Sequence, residues 1–196
     1  MAKHPNTPYV EPDTVRGVRD QGKRMLAMHF IEPNIMLIFL MRGGKGATVA
    51  EQFDWLKSIL GLETFRKLFP VVLADNGSAF KRMREIEFTV AGERRTRVFY
   101  CDPQASRQKP HIEKNHEYIR YILPRGKSFN PYTQEDMVLL MNHINSTKRK
   151  GLGGRAPYEL ATTREFEKLM QVLKLHLLPA DDVPLSPKLL KHKTED

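Results

Sequence analysis

An unbroken apolar run, Ile35-Met36-Leu37-Ile38-Phe39-Leu40-Met41, stands out from an otherwise mixed sequence. Its seven residues are about a third of the ~20 needed to cross a bilayer, and their number suits a strand buried on both faces. Residues 10–15 and 25–30 read as two further strands and residues 35–40 as the third. A charged turn at 16–22 and a turn at Glu32-Pro33-Asn34 separate them. Three consecutive strands with short turns make an antiparallel meander.

The period then changes. Thr48 with Glu51 three residues on has the spacing of a capping box. Val49, Phe53, Leu56 and Leu60 follow at i, i+4, i+7 and i+11, the apolar face of a helix. Pro70-Val71-Val72-Leu73-Ala74 is a short apolar strand leading into Asp75-Asn76-Gly77-Ser78, and Arg97-Val98-Phe99-Tyr100-Cys101 is another. Helices are expected near residues 111–123, stopped by Pro124-Arg125-Gly126, and near 133–145 and 157–163. This order predicts an α/β fold, a five-stranded mixed sheet flanked by helices. Residues 1–9 read as an N-terminal arm and 10–163 as the core. Residues 164–196 read as one helix (Phe166, Leu169, Met170, Leu173) followed by a mobile, Lys-rich tail.

Charge narrows the function. With 32 Lys and Arg against 23 Asp and Glu, the chain carries a net charge of +9, which points to a polyanionic partner, nucleic acid first among them. A single cysteine, Cys101, excludes an internal disulfide and a Cys-based zinc cluster. The first eight residues hold no apolar signal segment, and a cytoplasmic, non-membrane protein is expected. The seven histidines contain no His-Glu-x-x-His pattern, and Gly43-Gly44-Lys45-Gly46 lacks the Walker spacing and reads as a turn.

Three acidic residues draw attention by position. Asp13 lies inside the first strand, Asp75 at the C-terminal end of an apolar strand where ligands gather in α/β sheets, and Glu113 on a helix. Each also has a plain structural reading: Asp13 as a solvent-facing strand residue, Asp75-Asn76-Gly77 as a tight turn, Glu113 as a solvated helix residue.

Four segments favour the functional reading. They are Glu11-Pro12-Asp13-Thr14-Val15-Arg16-Gly17; Leu73-Ala74-Asp75-Asn76-Gly77-Ser78-Ala79-Phe80; the stretch from Val98-Phe99-Tyr100-Cys101-Asp102-Pro103 through Glu113 to Tyr121-Ile122-Leu123-Pro124-Arg125-Gly126-Lys127; and residues 145–160, with Lys148-Arg149-Lys150 and Arg155. In this order they resemble the catalytic domain of DDE transposases of the insertion-sequence-thirty family, within the retroviral-integrase-like RNase H superfamily. The resemblance implies that Asp13, Asp75 and Glu113 form a metal-binding triad for two Mg²⁺ or Mn²⁺ ions. It also implies metal-dependent cleavage and transfer of DNA strands, and a homo-oligomer that handles two element ends together. Arg120, two turns after Glu113, is a candidate DNA contact on the same ground. Lys148, Arg149, Lys150, Arg155, Lys81, Arg107 and Lys109 are basic residues placed to hold phosphates. Two alternatives stay open: a non-catalytic DNA-binding or assembly remnant, and a simple nuclease on the same scaffold. The family's usual Trp-Glu-Gly-Asp is Val10-Glu11-Pro12-Asp13 here, and a proline in a central strand is expected at a bulge or an open edge.

Overall fold

The computed structural model describes residues 7–18, 22–43, 45–102 and 110–193, apart from the side chains of Pro110, Glu113, Lys114 and residues 191–193. Five strands form a single sheet: β1 (Val10–Val15), β2 (Arg24–Phe30), β3 (Met36–Met41), β4 (Val71–Ala74) and β5 (Arg97–Tyr100). Their order is β3-β2-β1-β4-β5. The meander β1–β2–β3 is antiparallel, and β4 and β5 join it in parallel. The expected mixed five-stranded sheet is therefore present.

Seven helices are described: α1 (Gly46–Leu60), α2 (Leu62–Leu68), α3 (Met83–Glu87), α4 (Pro110–Ile122), α5 (Gln134–Ser146), α6 (Pro157–Leu160) and α7 (Arg164–Val172). Val49, Phe53, Leu56 and Leu60 on α1 are all buried, as their spacing predicts. The start of α1 differs from expectation. It begins at Gly46, and Thr48, already inside the helix, donates its hydroxyl to the Lys45 carbonyl at 2.7 Å instead of capping. A capping box does open α5. There the Thr133 N–H donates to Asp136 Oδ2 at 2.7 Å, and the Asp136 N–H to Thr133 Oγ1 at 3.3 Å.

The exposed flank of edge strand β3 is covered by α5 through side-chain amides. Asn145 accepts from the Met36 N–H at 2.9 Å and donates to the Met36 carbonyl at 2.8 Å. Gln134 does the same for the Leu40 N–H (2.9 Å) and the Ile38 carbonyl (3.1 Å). Eleven residues apart, these amides share one helix face and stand in for a sixth strand.

A core of aromatic rings joins β2 to α1, α2 and α7. Phe30 meets Phe69 and Phe166 edge-on at 5.0 and 5.3 Å, and Phe65 stacks on Phe69 at 4.5 Å. Phe166 and Leu169 belong to this core, together with Leu173, Leu175 and Leu190. The expectation that the chain leaves the core as a tail after the last helix is thus corrected as far as Leu190. The apolar residues beyond α7 are few, yet they are placed to cover it. None of the described helices is long and apolar enough to cross a membrane.

Candidate active site

The first two carboxylates are carried by neighbouring parallel strands. Val10 of β1 pairs in parallel with Val72 of β4. Asp13 and Asp75 each lie three residues further on (13 − 10 = 3; 75 − 72 = 3). Asp13 is the fourth residue of β1, and Asp75 directly follows the last residue of β4, the neighbouring parallel strand. Pro12 forms no bulge. It sits opposite Met28 in an unbroken ladder to β2, whereas the parallel pairing with β4 is registered at Val10 alone.

Local hydrogen bonds orient both acids. Asp13 Oδ1 accepts from the Thr14 N–H at 2.8 Å, and Asp75 Oδ1 from the Gly77 N–H at 2.8 Å. The turn reading of Asp75-Asn76-Gly77 thus holds. A Cβ at Gly77 would fall 2.6 Å from Asp75 Oδ1, so glycine is required if the carboxylate is to keep this position. Asn76 ties the turn to the end of β5 by donating to the Cys101 carbonyl at 3.0 Å.

The backbone of Glu113 lies near the start of α4; its side chain is outside the described residues, as are Arg107 and Lys109 entirely. The flanks of Glu113 are well defined. One residue before it, the Ile112 N–H donates to Glu11 Oε2 at 2.9 Å. Glu11 is fully buried and shares a strand face with Asp13. One turn after Glu113, His116 Nε2 is 3.7 Å from Asp13 Oδ2. The segment carrying Glu113 is therefore tied to β1 by the Ile112–Glu11 hydrogen bond, with His116 close to Asp13 one turn on. Glu11 and His116 are the residues sequence reasoning missed. His116 reads as a surface histidine until α4 is docked, although its i+3 spacing from Glu113 was a signal. Nothing local shows that Glu11 caps a helix about a hundred residues away.

Glu11→Ala leaves the Ile112 N–H without its acceptor and is expected to cost about 2 kcal/mol of stability. Glu11→Gln keeps an acceptor oxygen and should cost less than half as much. Urea unfolding of both variants checks this, and equal losses would show that the hydrogen bond is not what holds α4.

Asp13 and Asp75 offer hard oxygen donors of the kind Mg²⁺ and Mn²⁺ prefer, so the chemistry of the pair fits a divalent cation. Among the described residues no three His, Cys, Asp or Glu side chains are grouped to hold a metal ion, and these do not include the side chain of Glu113.

The basic residues divide into two kinds. Lys81, Lys148, Lys150 and Arg155 are exposed. Arg120 is half-buried and donates to the Arg16 carbonyl at 3.3 Å, just past the end of β1. Burial, then the nearby Arg125, lowers its pKa. Arg149, expected as a DNA contact, turns inward instead. It is buried and donates to Asn115 Oδ1 at 2.8 Å and to Asn34 Oδ1, and its guanidinium lies 4.5 Å from the Tyr118 ring centroid.

The chain of polar contacts continues inward. A guanidinium can only donate, so Asn115 must turn its oxygen to Arg149 and its nitrogen to His29 Nε2, 3.0 Å away. His29 is therefore a neutral acceptor. Burial first, and then the Arg149 charge, pushes its pKa down to about 3 from 6.5. A depressed folded-state value means that acid favours the unfolded chain. The contribution is complete above pH 6.5 and is lost as the pH falls from there toward 3. Stability should fall in this window by up to about 1.4 kcal/mol per pH unit from this site. His29→Gln should flatten the profile in urea titrations between pH 7 and 4, and an unchanged slope would contradict the assignment.

The architecture is that of the integrase catalytic core, an RNase H-like α/β fold. The catalytic core domain of BIV integrase superposes with a TM-score of 0.51 at 17% identity, covering 77% of this chain and 91% of that one. The homologues found by sequence include insertion-sequence transposases and a putative integrase, ORF3 of Spiroplasma virus SpV1-R8A2 B. The chain is 27% identical over 150 residues to the transposase for insertion sequence element IS4351 of Bacteroides fragilis, covering 76% of this chain and 43% of that protein. A stretch of 77 residues is 32% identical to the transposase InsI for insertion sequence element IS30A of Escherichia coli strain K12, covering 39% of this chain and 20% of that protein. The chain spans less than half the length of these curated relatives. No family model matches it.

Proposed function

We propose that this chain is the catalytic part of a DDE transposase that cuts and rejoins DNA strands, with Asp13, Asp75 and Glu113 as its metal-binding triad. The observation that carries this reading is that Asp13 and Asp75 lie on adjacent parallel strands, with α4 tied to β1 through Glu11 and with His116 close to Asp13.

In the first step water attacks the phosphorus at the element end, the P–O3′ bond breaks, and a 3′-hydroxyl is released. In the second, that hydroxyl attacks a target phosphorus, forming a new P–O3′ bond and expelling the target strand's own 3′-oxygen. Two divalent cations, Mg²⁺ or Mn²⁺, would supply activation of the attacking oxygen and neutralise the leaving one. The contribution of the chain is positioning. Hydrogen bonds from Thr14 and Gly77 fix the two aspartates, and Glu11 fixes the start of α4. Lys81, Lys148, Lys150, Arg155 and Arg120 hold DNA phosphates, joined by Arg107 and Lys109 in the same role. Two element ends require more than one copy of the chain, so a homo-oligomer acting on bacterial DNA in the cytoplasm belongs to this reading.

The test is incubation with Mn²⁺, a pre-cleaved element end and a plasmid, with Glu113→Gln as control. Joined products that vanish in the control are expected. Cleavage without joining would mean a nuclease, and salt-sensitive binding with neither activity would mean a DNA-binding remnant.

A further inference from the structure

A cleft of 880 Å³ lies at the same end of the sheet as Asp13 and Asp75, and its lining includes Arg16, Lys23, Arg24, Arg42, Lys45 and Ser78. None of the basic residues the sequence singled out for DNA is among them. The sheet topology explains the gathering. Because β2 runs antiparallel to β1 and β3, the end of β1, the start of β2 and the end of β3 meet at one edge. Arg24 pairs with Met41 and so stands beside Arg42. Arg16 follows Asp13 by three residues, as Ser78 follows Asp75.

We propose that this cleft seats the phosphate backbone of the DNA strand that leads to Asp13 and Asp75; the inference rests on the catalytic reading above and assigns that site its substrate channel. No acidic side chain is among the described lining residues. Lys23 is held by the Asn130 and Tyr132 carbonyls at 2.9 and 2.7 Å, which anchors one wall. The side chains of Arg16, Arg24, Arg42 and Lys45 form no hydrogen bond or ion pair with any described residue. Four cations on a concave wall repel one another and focus a positive field, which an anion relieves. The amino end of α1 opens on the same cleft with no side-chain cap and no acid in its first turn, adding to that field. The cavity is larger than a single phosphate requires and its described lining holds no aromatic ring on which a base would stack. A run of backbone phosphates, bound without regard to sequence, is the ligand this chemistry fits.

Binding of a short fluorescent DNA duplex in EDTA, followed by anisotropy across a series of salt concentrations, tests the cleft without requiring catalysis. Arg24→Ala/Arg42→Ala should weaken binding on the order of tenfold at low salt and reduce the salt slope by about 2. Arg24→Lys/Arg42→Lys should restore most of both, and thermal melts confirm that each variant is folded. Wild-type affinity and slope in the folded double-alanine variant would overturn the cleft, as would a wild type that binds no duplex. Failure of the catalytic reading looks different: binding depends on Arg24 and Arg42, but the wild type neither cleaves nor joins DNA with Mn²⁺.

Discussion

Asp75→Asn is expected to melt at a higher temperature than wild type in EDTA, to gain nothing from Mn²⁺, and to lose strand joining by on the order of a thousandfold or more. Asp13 and Asp75 lie on adjacent parallel strands; in the proposed site their charges repel without a cation, and removing one relieves the repulsion. The amide retains an oxygen to accept the Gly77 N–H that now bonds Asp75 Oδ1, so the turn should survive. With a cation the balance reverses, because binding to the folded state alone stabilises wild type in proportion to the logarithm of metal concentration. An Asp75→Asn protein that melts below wild type in EDTA and is still stabilised by Mn²⁺ would show that the aspartate is structural.

Arg149→Ala should destabilise the protein by about 3–5 kcal/mol, a loss on the order of 10 °C in melting temperature for a chain of this size. The substitution leaves Asn34 and Asn115 without their shared donor and removes the cation over Tyr118. Arg149→Lys should recover little, since an ammonium cannot reproduce the planar donor geometry. Lys148→Ala and Lys150→Ala, at exposed neighbours, should stay within about 0.5 kcal/mol of wild type. If Arg149→Ala melts like wild type and only weakens DNA binding, Arg149 is a DNA contact after all.

The parts of the fold that were legible in the sequence rest on local signals. Alternating and continuous apolar runs mark the strands, and the face of Val49, Phe53, Leu56 and Leu60 marks α1. The five-residue α3 carries no such signal. It is held by Arg95, which donates to the Ile86 and Glu85 carbonyls and pairs with Asp54 on α1, and a buried arginine resembles any other basic residue in composition. The burial of Arg149 is hidden for the same reason: within Lys148-Arg149-Lys150 nothing local marks the middle residue as internal. The cleft cations are scattered from Arg16 to Lys45 and meet only because three strand ends share an edge. The proposal of Asp13 and Asp75 rests on family resemblance, whereas the support that Glu11 gives α4 exists only once β1 and α4 are packed together.

The most direct test of the site is anomalous diffraction at the manganese edge from crystals soaked in Mn²⁺. A peak within about 2.2 Å of carboxylate oxygens from both Asp13 and Asp75 is expected, with Glu113 completing the cluster. Saturating Mn²⁺ that binds elsewhere, or leaves no peak between the two aspartates, would contradict it.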